Sequence, residues 1–280
     1  DVPIVVAPAM HEPMYDHPGV LDAIDRVESW GVDFVDPRIE EGKAKIAADG
    51  AIVTAVARAT TEQSLAGAHV VVTSGATTES IDPIRTLSNR ASGNTGRAVA
   101  RACAIRGAEV TLVHDPAAVP VDEDTTFATV DVVESAAEMT EATLSACEDA
   151  DALVSAAAIS DYTIEEAPKK IRSGAEELTL TFERTPKLVD AVRDDHPDLP
   201  IVGFKAESEG DDGALVERAR DLSERVDMAF VVANDVDAMG REDTRALLVS
   251  ASDVTEYVGG KTGLGEAVAD ELAATLDDSF

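Results

Sequence analysis

With 280 residues, 55 acidic against 23 basic side chains and a formal net charge of -32, the chain has room for one complete domain and part of another. That balance argues against a phosphate-backbone binder, which needs a basic stripe that this chain does not show. No apolar run reaches bilayer-spanning length, and no basic segment precedes a short apolar one as in a secretory leader. The acidic residues run through helices and loops alike while the apolar strands stay intact, and only seven of the cations are lysine. This is the composition expected of a cytoplasmic protein working in concentrated salt, where self-repulsion is screened.

The run at 2–7 has the continuous apolar character of a strand buried on both faces, ending at Pro8. It starts almost at Asp1, so the chain is expected to begin inside a larger polypeptide. A helix follows over about 19–29, with Leu21, Ile24 and Val27 on one side, then a lysine-containing loop at 40–50 and an apolar helix ending near Ala59. The short polar stretch 60–67 reads as a linker between a fragment, 1–59, and a main region, 68–280.

The main region opens with a strong strand at 69–75. A long polar loop leads to a helix at 96–107, and strands at 108–114, 127–133 and 151–158 alternate with a helix at 136–147. This alternation predicts a Rossmann-like α/β fold with a mostly parallel sheet and helices on both faces. The segment 169–182 interrupts the rhythm. Ser173-Gly174 between two short extended pieces predicts a projecting hairpin or flap. Helices at 186–194, 215–225 and 263–276 then alternate with strands at 199–206, 228–235 and 246–250. Cys103 and Cys147 fall inside apparent helices without CxxC spacing and read as small buried apolar residues.

Polar residues gather at the strand ends. Thr73, Ser74 and Gly75 end one strand, Ser160 and Asp161 follow another, Phe204 and Lys205 end a third, and Asn234 and Asp235 a fourth. In a doubly wound fold these carboxyl ends share one crevice. Ser92, Gly93, Asn94, Thr95 and Gly96 stand at the start of a helix, where unpaired amides hold an anion. The spacing is not a dinucleotide fingerprint, whose glycines make the immediate strand-to-helix turn. Nor is it a Walker A loop, since no lysine follows Gly96. A plain helix cap with a close helix–sheet contact stays open as the other reading.

Lys169, Lys170 and Arg172 form a positive cluster in a lysine-poor chain. Folded over the crevice they would neutralise a triphosphate and its departing pyrophosphate; a solvated turn is the alternative. The five histidines are scattered without metal-ligand spacing. A magnesium ion held by nucleotide phosphate and by a carboxylate such as Asp161 is compatible with the sequence.

The run TSGATTESIDPIRTLSNRASGNTG at 73–96 matches the pattern TxGxTxExIDxVRxIxNxSSGxxG. SAAAISDY at 155–162, KKIRSG at 169–174, GFKAE at 203–207 and VVAND at 231–235 follow in the same order. On these motifs the main region, over about 65–276, resembles phosphopantothenoylcysteine synthetase, the C-terminal half of the bifunctional coenzyme A biosynthesis proteins. The first 59 residues resemble the end of the partner decarboxylase, whose PAMNxxMW motif stands here as Pro8, Ala9, Met10, His11, Glu12, Pro13, Met14 and Tyr15. His11 replaces the usual asparagine, Tyr15 the tryptophan, and no cysteine occurs at 42–47.

The resemblance implies a magnesium-dependent ligation of 4'-phosphopantothenate to cysteine through an acyl-nucleotidylate, with CTP or else ATP as the nucleotide. It implies a homodimer, and FMN only in the intact parent protein. Carried over by position, Asn89 and Lys170 are catalytic: Asn89 binds the pantothenate portion and steadies the acyl-nucleotidylate, and Lys170 stabilises phosphate charge. Gly75, Ser92, Gly93 and Gly96 lie against the phosphates. Ala157 and Asp161 bind the substrate side, and Phe204 and Asn234 line base and ribose. Two departures stand out: Ala91 sits where serine is usual, and the lysine-rich KxKK segment appears as Lys170, Ile171, Arg172 and Ser173. An NAD-dependent oxidoreductase is the nearest other enzyme, weakened by the long loop before Gly93. A nonenzymatic nucleotide-binding module is the other class of answer, weakened by the presence of Asn89 and Lys170.

Overall fold

In the computed structural model of the protein, residues 2–117, 121, 125–172, 177–207, 211–235 and 243–277 are described. The first stretch contains β1 (Ile4–Val6), β2 (Met10–His11), α1 (Glu12–Tyr15), α2 (Pro18–Glu28), β3 (Val32–Phe34), β4 (Arg38–Glu40), β5 (Lys43–Lys45) and α3 (Asp49–Thr60). The expectation of a first strand buried on both faces is not met. Among the described residues β1 pairs only with β3, in a two-stranded parallel sheet, and Ile4 is exposed. Burial of a parallel strand needs neighbours on both edges and layers on both faces, and β1 has one neighbour.

The lysine-containing segment is likewise not a loop. β4 and β5 form an antiparallel hairpin turned by Glu41 and Gly42, both at positive φ (52° and 72°), the backbone that a two-residue hairpin turn demands. The end of α3 and the stretch after it are fastened to the rest of the molecule. Gln63 Nε2 donates to the Ile105 carbonyl at 3.0 Å, Arg58 Nη1 to Ala104 O at 3.2 Å, and buried Leu65 bonds Arg106 O through its amide at 2.9 Å.

The remainder builds one eight-stranded sheet and, outside it, two separate two-stranded ladders. In chain order its elements are β6 (His69–Ser74), β7 (Thr78–Asp82), β8 (Arg85–Ser88), α4 (Asn94–Ile105), β9 (Glu109–His114), β10 (Thr129–Val132), α5 (Ala136–Ala146), β11 (Ala152–Ser155), β12 (Tyr162–Thr163), β13 (Glu183–Arg184), α6 (Leu188–Asp195), β14 (Ile201–Glu207), α7 (Asp212–Val226), β15 (Phe230–Asp235), β16 (Asp243–Val249), β17 (Val254–Gly260) and α8 (Lys261–Asp277). The sheet order is β10-β9-β6-β11-β14-β15-β16-β17, parallel through β15 and antiparallel for the last two pairs. The mostly parallel Rossmann-like architecture is therefore as expected from the alternation. Chain direction across the sheet reverses between β6 and β11, and that boundary is where a doubly wound sheet opens a ligand crevice.

Two apolar layers cover the sheet. Val70, Val72, Val154 and Val232 meet α4 and α8 on one face, and Val71, Leu153, Ile201 and Val231 meet Met139, Leu188 and Val192 on the other. Alternate residues of the same strands feed opposite cores, as period-two side-chain geometry requires. Cys103 lies in α4 and Cys147 in a single turn after α5; both are buried, and burial pushes each thiol up to about 12, which leaves them as inert apolar filler.

Two elements differ from the sequence expectation. The long polar stretch after Gly75 folds into the β7–β8 hairpin with a bulge between Ser80 and Asp82. β17, which pairs with β16 along its whole length, was not anticipated. The projecting segment is bounded by a two-residue antiparallel ladder, Tyr162 with Arg184 and Thr163 with Glu183. The Ser173-Gly174 turn predicted for its tip lies outside the described residues.

Candidate active site

Gly75 follows β6 at φ +96°, and Gly93 precedes α4 at φ +76°. A Cβ on Gly93 would stand 2.7 Å from Gly75 N, and one on Gly96 would stand 2.9 Å from Thr73 O. Glycine is required here for both reasons: two backbones cross at contact distance, and Gly75 and Gly93 adopt the left-handed conformation. Ser74 Oγ donates to Gly93 O at 2.9 Å and fixes the crossing. The start of α4 is thereby pressed onto the end of β6; Gly93 at the cap position has no side chain to offer, and Ser92 Oγ instead accepts from Asn94 N at 3.5 Å. Gly75, Ser92, Gly93 and Gly96, grouped by the resemblance, lie together at this crossing.

The opposite bank is the end of β11. Ala76 and Ala158 form an isolated parallel bridge; Ala158 N donates to Gly75 O at 2.9 Å and Ala157 N to Thr73 Oγ1 at 3.2 Å. Asn89 joins this group, for its Nδ2 donates to Ala158 O at 3.0 Å across 69 residues of sequence. Beyond it a cavity of about 500 Å³ opens among the ends of β11 and β14 and the helices α6 and α7; its wall includes Ala157, Asp161, Lys187, Phe204, Lys205 and Arg225.

Asp161 is ion-paired with Lys187. Asn234 stands at the end of β15, registered with Ala206 and Ala246, outside that wall. Lys170 is exposed on the projecting segment, in ionic contact with no group among the described residues.

Lys187 escaped the sequence reading. Its partner is 26 positions away and it sits in an unremarkable Pro-Lys pair before α6; the available signal was the scarcity of lysine itself. Four of the seven lysines, Lys169, Lys170, Lys187 and Lys205, belong to the projecting segment or the cavity wall.

The β7–β8 hairpin organises this end of the sheet through its polar side chains. Thr78 Oγ1 donates to Asp115 at 3.1 Å, and Glu79 accepts from Ala136 N at 2.9 Å and from Thr163 Oγ1 at 2.6 Å. Asp82, whose side chain is wholly buried, accepts from the amides of Ile84 and Arg85 at 2.9 Å and of Ile171 at 3.0 Å. The Ile171 amide first, then those of Ile84 and Arg85, hold the Asp82 carboxyl below its usual range against the opposing effect of burial. Among the described residues no group of three or more His, Cys, Asp or Glu is arranged to hold a metal ion. Asp161 offers a single carboxylate, which fits an ion carried mainly on phosphate oxygens. No helix of the described residues is long and apolar enough to cross a membrane.

Comparison with known proteins adds to this geometry. A family model described as the DNA/pantothenate metabolism flavoprotein C-terminal domain matches residues 65–276, and one described as Flavoprotein matches residues 1–61. The coenzyme A biosynthesis bifunctional protein CoaBC of Thermococcus kodakarensis is 43% identical over 248 residues, covering 88% of this chain and 61% of that protein. The protein of the same name from Mycolicibacterium smegmatis is 32% identical over 310 residues, covering 98% of this chain and 72% of the relative. The solved C-terminal domain of a coenzyme A biosynthesis bifunctional protein CoaBC superposes with a TM-score of 0.65 at 25% identity, covering 78% of this chain and 100% of that one. The chain thus spans 61% of the length of the Thermococcus relative.

Proposed function

Because the chain belongs to the DNA/pantothenate metabolism flavoprotein C-terminal domain family, we propose that it ligates 4'-phosphopantothenate to cysteine at the expense of a nucleoside triphosphate, CTP in the first instance and ATP as the alternative. The observation that carries the reading is Asn89 held across the point where β6 and β11 part, beside the glycine crossing at the start of α4. The relatives' names, which place them in coenzyme A biosynthesis, support the substrate class.

The substrate carboxylate attacks the α-phosphate, pyrophosphate leaves, and the amine of cysteine displaces the nucleoside monophosphate to form the amide. A primary carboxamide has two N–H donors and one acceptor. Fixing one donor on Ala158 orients Asn89 and leaves the other two positions for the acyl-nucleotidylate. The α4 amides and glycines take the phosphates, Phe204 the base or ribose, and Lys170 the charge that grows on departing pyrophosphate. Asp161 exchanges Lys187 for substrate, or for a magnesium ion carried on the triphosphate, which when bound would neutralise phosphate charge. Asn234, outside the cavity wall at the end of β15, is assigned to the ribose on the resemblance alone. We assign this chemistry to 68–280, with 1–59 as the end of a flavin-dependent module and 60–67 as the junction, and place it in a cytoplasmic homodimer adapted to concentrated salt.

Pyrophosphate release in high salt tests the proposal, with magnesium, 4'-phosphopantothenate and either nucleotide, first without and then with cysteine. Release that depends on the substrate, followed by amide formation that depends on cysteine, is expected with one nucleotide. Folded protein releasing none with either would overturn it. Asn89→Ala is expected to lower kcat by about 10²-fold or more, as for loss of a preorganised transition-state donor.

A further inference from the structure

We infer that Asp82 and Arg85 are positioning residues that clamp the backbone on the C-terminal side of Lys170 and so set where its ammonium stands; the inference rests on the ligase reading for the role of Lys170 itself. The clamp grips one peptide unit pair from both sides. Asp82 Oδ2 accepts from Ile171 N at 3.0 Å, and Arg85 Nη2 donates to Ile171 O at 3.0 Å while its Nη1 bonds the same Asp82 oxygen at 3.0 Å. Three groups therefore close a ring in which neither the acid nor the guanidinium can move without releasing Ile171.

The acid is the buried member, with its side chain fully covered, while Arg85 is 38% exposed. Its second oxygen, Oδ1, is spent on the amides of Ile84 and Arg85, which hold the turn of the hairpin rigid behind it. A second anchor lies four residues upstream, where Ala167 N donates to Ile81 O at 3.0 Å. Pro168, Lys169 and Lys170 form an arch strung between two fixed points on the same strand, β7. Both lysines are exposed although their backbone is tethered on either side.

The same hairpin carries the other end of the chemistry. β8 ends at Ser88, and the next residue is Asn89, bonded to Ala158 O. One rigid unit therefore determines the separation of Asn89 and Lys170, residues 81 positions apart in the chain. Long, flexible lysine side chains place charge poorly unless the backbone beneath them is fixed, and a displacement of about 1 Å in a catalytic group costs about 10²-fold in rate.

The test is a double-mutant cycle on the full chain between Arg85→Gln and Lys170→Gln, read by kcat for ligation and accompanied by hydrogen exchange. Arg85→Gln alone is expected to lower kcat by about 10-fold to 10²-fold with KM for the nucleotide changed less than about threefold. In the Lys170→Gln background the same change is expected to cost less than about threefold, because there is no ammonium left to misplace. Arg85→Lys keeps the charge beside Asp82 but has one arm instead of two, so it is expected to recover only part of the loss.

In Arg85→Gln and Asp82→Asn, exchange at the Ile171 amide is expected to rise at least about 10-fold while the amides of β6 and β14 keep their protection. Equal loss from Arg85→Gln in both backgrounds, or unaltered exchange at Ile171, would overturn the clamp. A folded wild-type chain that makes no amide would overturn the ligase reading instead, and exchange at Ile171 would then decide the clamp on its own.

Discussion

Each of the two regions opens with a strand, β1 in the first and β6 in the main one, and both have an aliphatic centre: IVV in β1 and VVV in β6. In β6, Val70, Val71 and Val72 are fully buried, whereas in β1 Ile4 is 55% exposed. The helices differ in the same way. Leu272 of α8 is covered completely, while Val53 and Val56 of α3 lie open on the surface at 58% and 45%. Apolar sequence states what a segment is able to bury, and burial itself is supplied by neighbours on both edges and both faces. β6 has β9 and β11 beside it and a helical layer on each side; β1 has β3 alone beside it.

Truncating one apolar side chain on each side of this contrast gives its strongest test. Leu272→Ala is expected to cost about 2–5 kcal/mol in denaturant unfolding, since it empties a site with no solvent to fill it. Val53→Ala is expected to stay within about 0.5 kcal/mol. Similar losses at both positions would mean that the surface around Val53 is covered in solution.

Glycine substitutions sharpen the comparison at a smaller scale. Gly31 and Gly93 both adopt positive φ, 84° and 76°, but a Cβ on Gly31 meets nothing within 4 Å while one on Gly93 meets the backbone of Gly75 at 2.7 Å. Each alanine variant carries the left-handed cost of about 1–2 kcal/mol; only Gly93→Ala adds a clash, expected to bring its total to about 2–4 kcal/mol. Thermal or denaturant unfolding of the two variants side by side distinguishes the terms.

Asp82 provides the mildest probe, through pH. Its folded-state pKa is depressed, so its contribution is complete above the unfolded value and is lost as pH falls through the lower, folded one. The stability difference between wild type and Asp82→Asn is expected to be flat above about pH 5 and to shrink from about pH 4 downward. A difference that instead grew on acidification would reverse the assignment of the carboxylate as the charged, bonded form.

Much of the main sheet could be read before the structure, because β6, β11, β14 and β15 are continuous apolar runs and their polar ends fall at the same level. Gly75, Gly93 and Gly96 meet in a close helix–sheet contact, the arrangement that the sequence left open beside an anion site. The β7–β8 hairpin escaped because its strands, TESID and RTLS, have no apolar face; what holds them is bonds from Thr78, Glu79 and Asp82 to residues 37, 57, 84 and 89 positions away. Periodicity is a local signal and cannot register such partners. β17 was missed for a related reason. Its residues are mostly exposed, and it ends in two glycines, so neither alternation nor burial marks it. The pairing of Asp161 with Lys187 is a long-range ionic contact, invisible to any window of sequence.

The concentration of lysine around the crevice bears on encounter kinetics. On the ligase proposal, a triphosphate and a phosphorylated acid both approach a body whose formal charge is -32, and at distances beyond the Debye length, about 10 Å at 0.1 M salt, they respond to that total rather than to Lys169, Lys170, Lys187 and Lys205. Added electrolyte erases the distant repulsion first and the short-range attraction last. Association of these anions should therefore accelerate as ionic strength rises, opposite in sign to the slowing seen where a protein steers its ligand by opposite charge.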